Sequence, residues 1–140
     1  MGSFGALLIV ILDREYTYKI LECAYSVYNE LGPGLLESIY EEALCKELFD
    51  KGFTVKRQQI VPVYYKGSIL HTNLRLDIIV DDKVILELKS VSEYKKLFEK
   101  QLFTYLRLTH CELGYVINFN VERLKDGIHA VKNPLETYIE

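Results

Sequence analysis

The chain has 140 residues, 49% hydrophobic and 26% charged, with a formal net charge of −3. That length and balance exclude a disordered chain and suffice for one domain with a core of its own. The mildly acidic total speaks against a strong non-specific nucleic-acid binder, which would carry a basic face.

The first dense apolar run, Phe4 to Leu12, is too short to span a bilayer and has neither the basic start nor the small-residue cleavage site of a signal peptide. Neither a membrane span nor export is expected, and the compartment expected is the cytoplasm. Residues 1–14 read as an N-terminal extension, and packing of its apolar run on a neighbour would make the protein a homodimer. Glu15 to Leu31 repeats apolar residues at Tyr18, Ile20, Leu21, Ala24, Tyr25, Val27, Tyr28 and Leu31, an amphipathic helix. Leu31-Gly32-Pro33-Gly34 breaks it. Leu35 to Lys51 then shows a helical period through Leu35, Leu36, Ile39, Tyr40, Ala43, Leu44, Leu48 and Phe49, with Glu37 in its first turn and nearly in line with Tyr40. Taken alone, Glu37 complements the helix dipole and Tyr40 belongs to the core.

Phe53 to Tyr65 and Ser68 to Val80 form a hairpin around Lys66-Gly67, with Pro62 marking an edge strand or a bulge. Val84 to Val91 is a further apolar strand. Ser92 caps a helix from Glu93 to Thr109 whose inner face includes Leu97, Gln101, Tyr105 and Leu108. A glutamine on such a face needs a hydrogen-bond partner, either backbone or something held in a site. Leu113 to Phe119 is a core strand, Ile128 to Val131 a last strand, and residues 133–140 a tail.

The chemistry concentrates in Arg75-Leu76-Asp77 and Glu87-Leu88-Lys89, on two apolar strands either side of Asp81-Asp82. Side chains alternate along a strand, so Glu87 shares a face with Lys89 and Arg75 with Asp77. A loop of odd length such as Asp81 to Lys83 sets Asp77 opposite Glu87, whereas a two-residue loop puts them on opposite faces. Opposed residues have β-carbons about 4.5–5.5 Å apart, and two carboxylates that close repel unless a proton or cation sits between them. A hard divalent ion such as Mg²⁺ suits those oxygens. Ion pairing on a solvated sheet face explains the same residues equally well. Two basic groups, Lys51, Lys56 and Arg57, then Lys95, Lys96, Lys100 and Arg107, read as solvated faces more than as a phosphate track. The eleven tyrosines, with no tryptophan, read as core and helix packing, although exposed Tyr64, Tyr65 and Tyr94 could stack on bases.

The order helical Glu37, strand Asp77, strand Glu87-Leu88-Lys89, helical Gln101 and Tyr105 resembles the PD-(D/E)XK nuclease fold. The phrase Gly34-Leu35-Leu36-Glu37-Ser38-Ile39-Tyr40 resembles more closely the group called GxxExxY proteins, and the likeness extends from Tyr18 to Lys132. The resemblance implies an α/β (α+β) fold with a restriction-endonuclease-like αβββαβ core, a mixed sheet flanked by helices. It implies a Mg²⁺ (or Mn²⁺) ion on Asp77, Glu87 and the Leu88 carbonyl, with Glu37 completing the acidic cluster. Lys89 would position and polarise the hydrolytic water, and Gln101 with Tyr105 would orient Lys89 or the phosphate of a DNA or RNA substrate.

Phe98 stands where such proteins often carry a histidine. Cys23, Cys45 and Cys111 are one short of an iron–sulfur cluster and form no Cys-x-x-Cys pair, so no cluster is expected and reduced buried thiols are. Two alternatives stand beside the nuclease. One is a nuclease-fold binding or assembly module with little or no activity. The other is a small phosphoester hydrolase with a closed pocket.

Overall fold

The computed structural model describes residues 13–133. The apolar run expected to pack on a neighbour and residues 134–140 of the expected tail lie outside the described residues. Asn133, placed in the tail from sequence, is buried, and its N–H donates to the Glu112 carbonyl at 2.8 Å.

Helix α1 (Arg14–Leu31) starts at Asp13, whose carboxylate accepts the Tyr16 N–H at 2.9 Å and caps the first turn. It buries Ile20, Cys23, Ala24 and Val27 at helical spacing. Tyr18 and Tyr25, expected on the apolar face, lie beside that stripe and are 62% and 37% exposed. Helix α2 (Glu37–Asp50) begins two residues later than the apolar period suggested. It buries Tyr40, Glu41, Leu44 and Leu48 but turns Leu36, Ile39 and Phe49 to solvent, because one narrow stripe is enough to meet the sheet.

Five strands follow the order β1 (Val55–Val61), β4 (Leu74–Val80), β5 (Val84–Lys89), β6 (Leu113–Asn118), β7 (Ile128–Lys132) across one sheet. All neighbours are antiparallel except β5 and β6, which are parallel and joined by the crossover helix α3 (Leu97–Thr109). The architecture is the mixed, helix-flanked sheet expected from sequence. Strand β1 is an edge, and Pro62 follows its last residue, where a missing donor costs the ladder nothing. The two long strands expected on either side of Lys66-Gly67 are instead interrupted. A separate small hairpin, β2 (Tyr64–Tyr65) and β3 (Ser68–Ile69), lies beyond the end of the β1–β4 ladder.

Helices α1 and α2 cover one face of the sheet through Ile78, Val80, Val84, Leu86, Leu88, Tyr115, Ile117 and Phe119. Helix α3 covers the other through Leu76, Ile79, Ile85 and Val116. The expected α3 face was off by about one residue. Leu102 and Leu106 are buried, with Phe98 and Tyr105 beside them, while Leu97 and Leu108 are 54% and 37% exposed and Gln101 faces solvent. The helix also starts four residues late, at Leu97 with Lys96 as its cap residue, and Ser92 does not cap it. The reason is Tyr94, whose ring stacks on His129 of β7 at 4.0 Å and whose hydroxyl donates to Glu99 at 3.0 Å, contacts that hold the segment off a helical path. A 3-10 turn (Leu124–Gly127), not foreseen from sequence, leads into β7. No described helix is long and apolar enough to cross a membrane.

Candidate metal-assisted hydrolytic site

The β4–β5 turn sets the site. Asp81 and Asp82 both take left-handed backbone (φ +53° and +54°), and the Lys83 N–H donates to the Val80 carbonyl at 2.9 Å. Non-glycine residues there need compensation. Asp81 provides it, accepting the Thr54 N–H at 2.8 Å and the Tyr16 hydroxyl at 2.6 Å, while Lys56 pairs with Asp82 at 3.0 Å. The three-residue loop gives the pairs Val80↔Val84, Ile79↔Ile85 and Ile78↔Leu86. Continued by one step, that register sets Asp77 against Glu87.

At that step the backbone ladder ends and side chains replace it. The Leu88 N–H donates to Asp77 Oδ2 at 2.8 Å, and the Asp77 N–H donates to Glu87 Oε2 at 3.0 Å. Carboxylate oxygens thus stand where carbonyl acceptors would be. The N–H and C=O of one strand residue point to the same side, so the Leu88 carbonyl faces the same gap. Edge strand β1 is distorted at the same level. Gln58, between the pairs Arg57↔Ile78 and Gln59↔Leu76, has φ +53°. Its side-chain amide donates to Glu41 at 2.8 Å and reaches Asp77 Oδ1 at 3.4 Å. Arg57 also donates to Glu41, which accounts for a buried carboxylate on α2. Strained backbone of this kind costs of order 1–3 kcal/mol and tends to sit at functional sites.

Burial raises the pKa of Asp77, the Leu88 N–H partly offsets this, and the charges of Glu41 and Glu37 raise it further. Burial together with the Asp77 charge pushes Glu87 up to about 8. Lys89 draws both back down, so its ammonium lies within their field. It sits 4.4 Å from the centre of the Phe98 ring on α3. Tyr105, also on α3, has its hydroxyl pKa raised by burial and by Glu87 and Asp77.

Of the residues singled out in the sequence, Asp77, Glu87, Leu88 and Lys89 meet around one gap, and Tyr105 approaches it from α3. Glu37 stands exposed at the start of α2 and accepts the Ser90 N–H at 3.4 Å. Gln101 is exposed one turn before Tyr105. Tyr40 does not reach the gap. It stacks on Phe119 at 4.3 Å and holds the Gly32–Leu35 loop, accepting the Leu35 N–H at 3.1 Å and donating to the Gly32 carbonyl at 2.5 Å. Three contributors escaped the sequence reading. Glu41 was detectable as the residue one turn beyond Glu37 on the same helix. Phe98 appeared only as a departure from a family pattern, and Gln58 carried no signal, since its role comes from an edge-strand distortion.

The donor set suits a hard divalent cation. It is all oxygen, and burial with neighbouring acids raises the pKa of both carboxylates, Asp77 through Glu41 and Glu37 and Glu87 through Asp77, which a cation would relieve. Among the described residues no three of His, Cys, Asp and Glu converge as a ready cage. The two carboxylates and a backbone carbonyl would suit Mg²⁺, which one or two carboxylates can hold together with water and phosphate.

The family model of the PD-(D/E)XK nuclease superfamily matches residues 14–131. No curated protein matches the chain. The match spans α1 to β7 and includes every residue at the strand gap, and by it the chain belongs to the PD-(D/E)XK nuclease superfamily.

Proposed function

We propose that this protein is a metal-dependent nuclease of the GxxExxY group that hydrolyses phosphodiester bonds of DNA or RNA. The observation that carries the reading is the parted β4–β5 ladder, where Asp77 and Glu87 supply acceptors in place of backbone and the Lys89 charge acts on both. A scaffold has little reason to hold two half-buried carboxylates side by side, each with its pKa raised by burial and by neighbouring acids. Asp77, Glu87 and the Leu88 carbonyl would hold Mg²⁺ or Mn²⁺, with Glu37 at the rim. Bound there, the ion would supply Lewis-acid polarisation of the scissile phosphate and a more acidic water.

The chain's own groups divide the remaining work. Lys89 offsets negative charge developing on the phosphate and donates to the attacking water. Phe98 holds the Lys89 ammonium over its ring, and Gln58 and Arg57 keep Glu41 from competing with Asp77. Tyr105 presents its hydroxyl toward the same gap from α3.

The test is titration calorimetry of Mg²⁺ and Mn²⁺ into the purified protein and its Asp77→Asn variant, then incubation of both with labelled single- and double-stranded DNA and RNA. Metal-dependent cleavage that Asp77→Asn lowers by about 100-fold or more, the scale of losing such charge stabilisation, is the expected result. Metal binding without cleavage of any substrate would move the assignment to the binding module.

A further inference from the structure

The β2–β3 hairpin carries exposed aromatic rings that the strand gap does not use. Tyr64 and Tyr65 are 65% and 61% exposed, contrary to the packing role the sequence suggested for the tyrosines as a group. Adjacent strand residues point to opposite faces, so both faces of the hairpin present an aromatic ring to solvent. Tyr64 is paired with Ile69, itself 59% exposed, and Tyr65 with Ser68. The Lys66 ammonium lies 5.5 Å from the centre of the Tyr65 ring.

Charge selects the partner. In a chain of net charge −3, the whole stretch from Lys51 to Leu76 contains no Asp or Glu. It carries Lys51, Lys56, Arg57, Lys66 and Arg75, with His71 in addition. Lys56 and Arg57 are engaged by Asp82 and Glu41 near the turn and the gap. Lys66, His71 and Arg75 lie toward the hairpin end and are exposed. Exposed rings interleaved with cations and free of acids match a strand of unpaired nucleotides, whose bases stack on aromatic faces while its phosphates meet the cations. An apolar protein partner would not need the acid-free stretch. Position agrees, because β1 and β4, which bring Gln58 and Asp77 to the gap, run toward the hairpin. At ~3.3 Å per residue its tip at Gly67 lies at most about 33 Å from Asp77 along the chain.

We propose that the β2–β3 hairpin is a stacking arm for a single-stranded stretch of nucleic acid, with Tyr64 and Tyr65 each taking a base on opposite faces and Lys66 and Arg75 meeting the phosphates. This rests on the nuclease reading for its substrate class and adds that the bound strand is unpaired where it leaves the site.

The test is fluorescence anisotropy of a labelled oligo-dT or oligo-rU 20-mer, and of a 20-base-pair duplex, in EDTA so that no cleavage occurs. The full chain is compared with Tyr64→Ala/Tyr65→Ala and Tyr64→Phe/Tyr65→Phe. Removing both rings should weaken single-strand binding at least tenfold, at a stacking worth of about 1–3 kcal/mol per base. The phenylalanine pair should restore it, and duplex binding should be weaker throughout. Circular dichroism melts of the alanine pair should match the wild type, since both rings are exposed. Equal affinity of all three proteins, or no single-strand binding by the wild type, would overturn the inference. So would loss of a dimer, seen by sedimentation, in place of lost oligonucleotide affinity, since the hairpin would then be a contact between copies. Ring-dependent binding in EDTA without cleavage in Mg²⁺ would keep the arm and remove the nuclease. Cleavage by the alanine pair with an unchanged KM would do the reverse.

Discussion

Glu87→Gln should make the metal-free protein more stable at alkaline pH while removing its activity. Glu87 in the folded protein titrates at about 8 against 4.5 for an ordinary glutamate, because it is buried beside Asp77. The folded state therefore keeps its proton between those values while the unfolded chain has lost it. Stability is in place below about pH 4.5 and is lost as the pH rises toward about 8. At 1.36 kcal/mol per pH unit the loss is bounded at about 5 kcal/mol, less where Asp77 shares the proton. For a chain of this size that bound corresponds to a fall in melting temperature of roughly 10–20 °C at most. The amide of the variant can still accept the Asp77 N–H and carries no charge, so most of the fall should vanish. Thermal melts in EDTA at intervals from pH 5 to 9 measure this directly. Added Mg²⁺ should restore the wild type at the alkaline end by selective binding to the folded state and leave the variant unchanged. Parallel pH profiles for the two proteins would refute both the burial of the Glu87 charge and the account of the site built on it.

Two further outcomes follow from neighbouring contacts. Phe98→Leu should lower kcat severalfold with little change in KM, because the ring beneath Lys89 contributes about 0.5–2 kcal/mol to holding the ammonium, and Phe98→Tyr should recover it. A KM effect alone would assign Phe98 to packing. Tyr40→Phe should lower stability by about 1–3 kcal/mol, since the Gly32 carbonyl and the Leu35 N–H lose their shared partner. Urea unfolding checks it, and an unchanged midpoint would show that water takes over both groups.

The order of elements was legible because hydrophobic period and glycine breaks act locally. The Asp77 to Glu87 register was legible only as one of two parities, since a two-residue loop would have put the carboxylates on opposite faces, and the pairing Val80↔Val84 settles it in favour of the three-residue Asp81 to Lys83 loop. What escaped depends on contacts distant in sequence. Tyr94 delays α3 because it finds His129 on a strand more than thirty residues away. The α3 stripe was misplaced because Leu97 and Leu108 look as apolar as Leu102 and Leu106, and only the sheet decides which pair it covers. Glu41 is buried through Arg57 and Gln58, partners that a helical wheel cannot show. The Tyr-Tyr pair of the small hairpin looked like core for the same reason, since aromatic composition does not say where a strand leaves the body of the fold.

Replacing backbone acceptors by carboxylates has a dynamic consequence. Most sheet amides are protected by carbonyls that move only when the strand moves. The amides of Leu88 and Asp77 are protected by side chains whose own freedom depends on proton and cation. Their hydrogen-exchange rates are therefore tied to the state of the carboxylates more than to global unfolding. Two backbone positions in the middle of an otherwise rigid sheet thus serve as native reporters of what the gap holds, without a label and without a substrate.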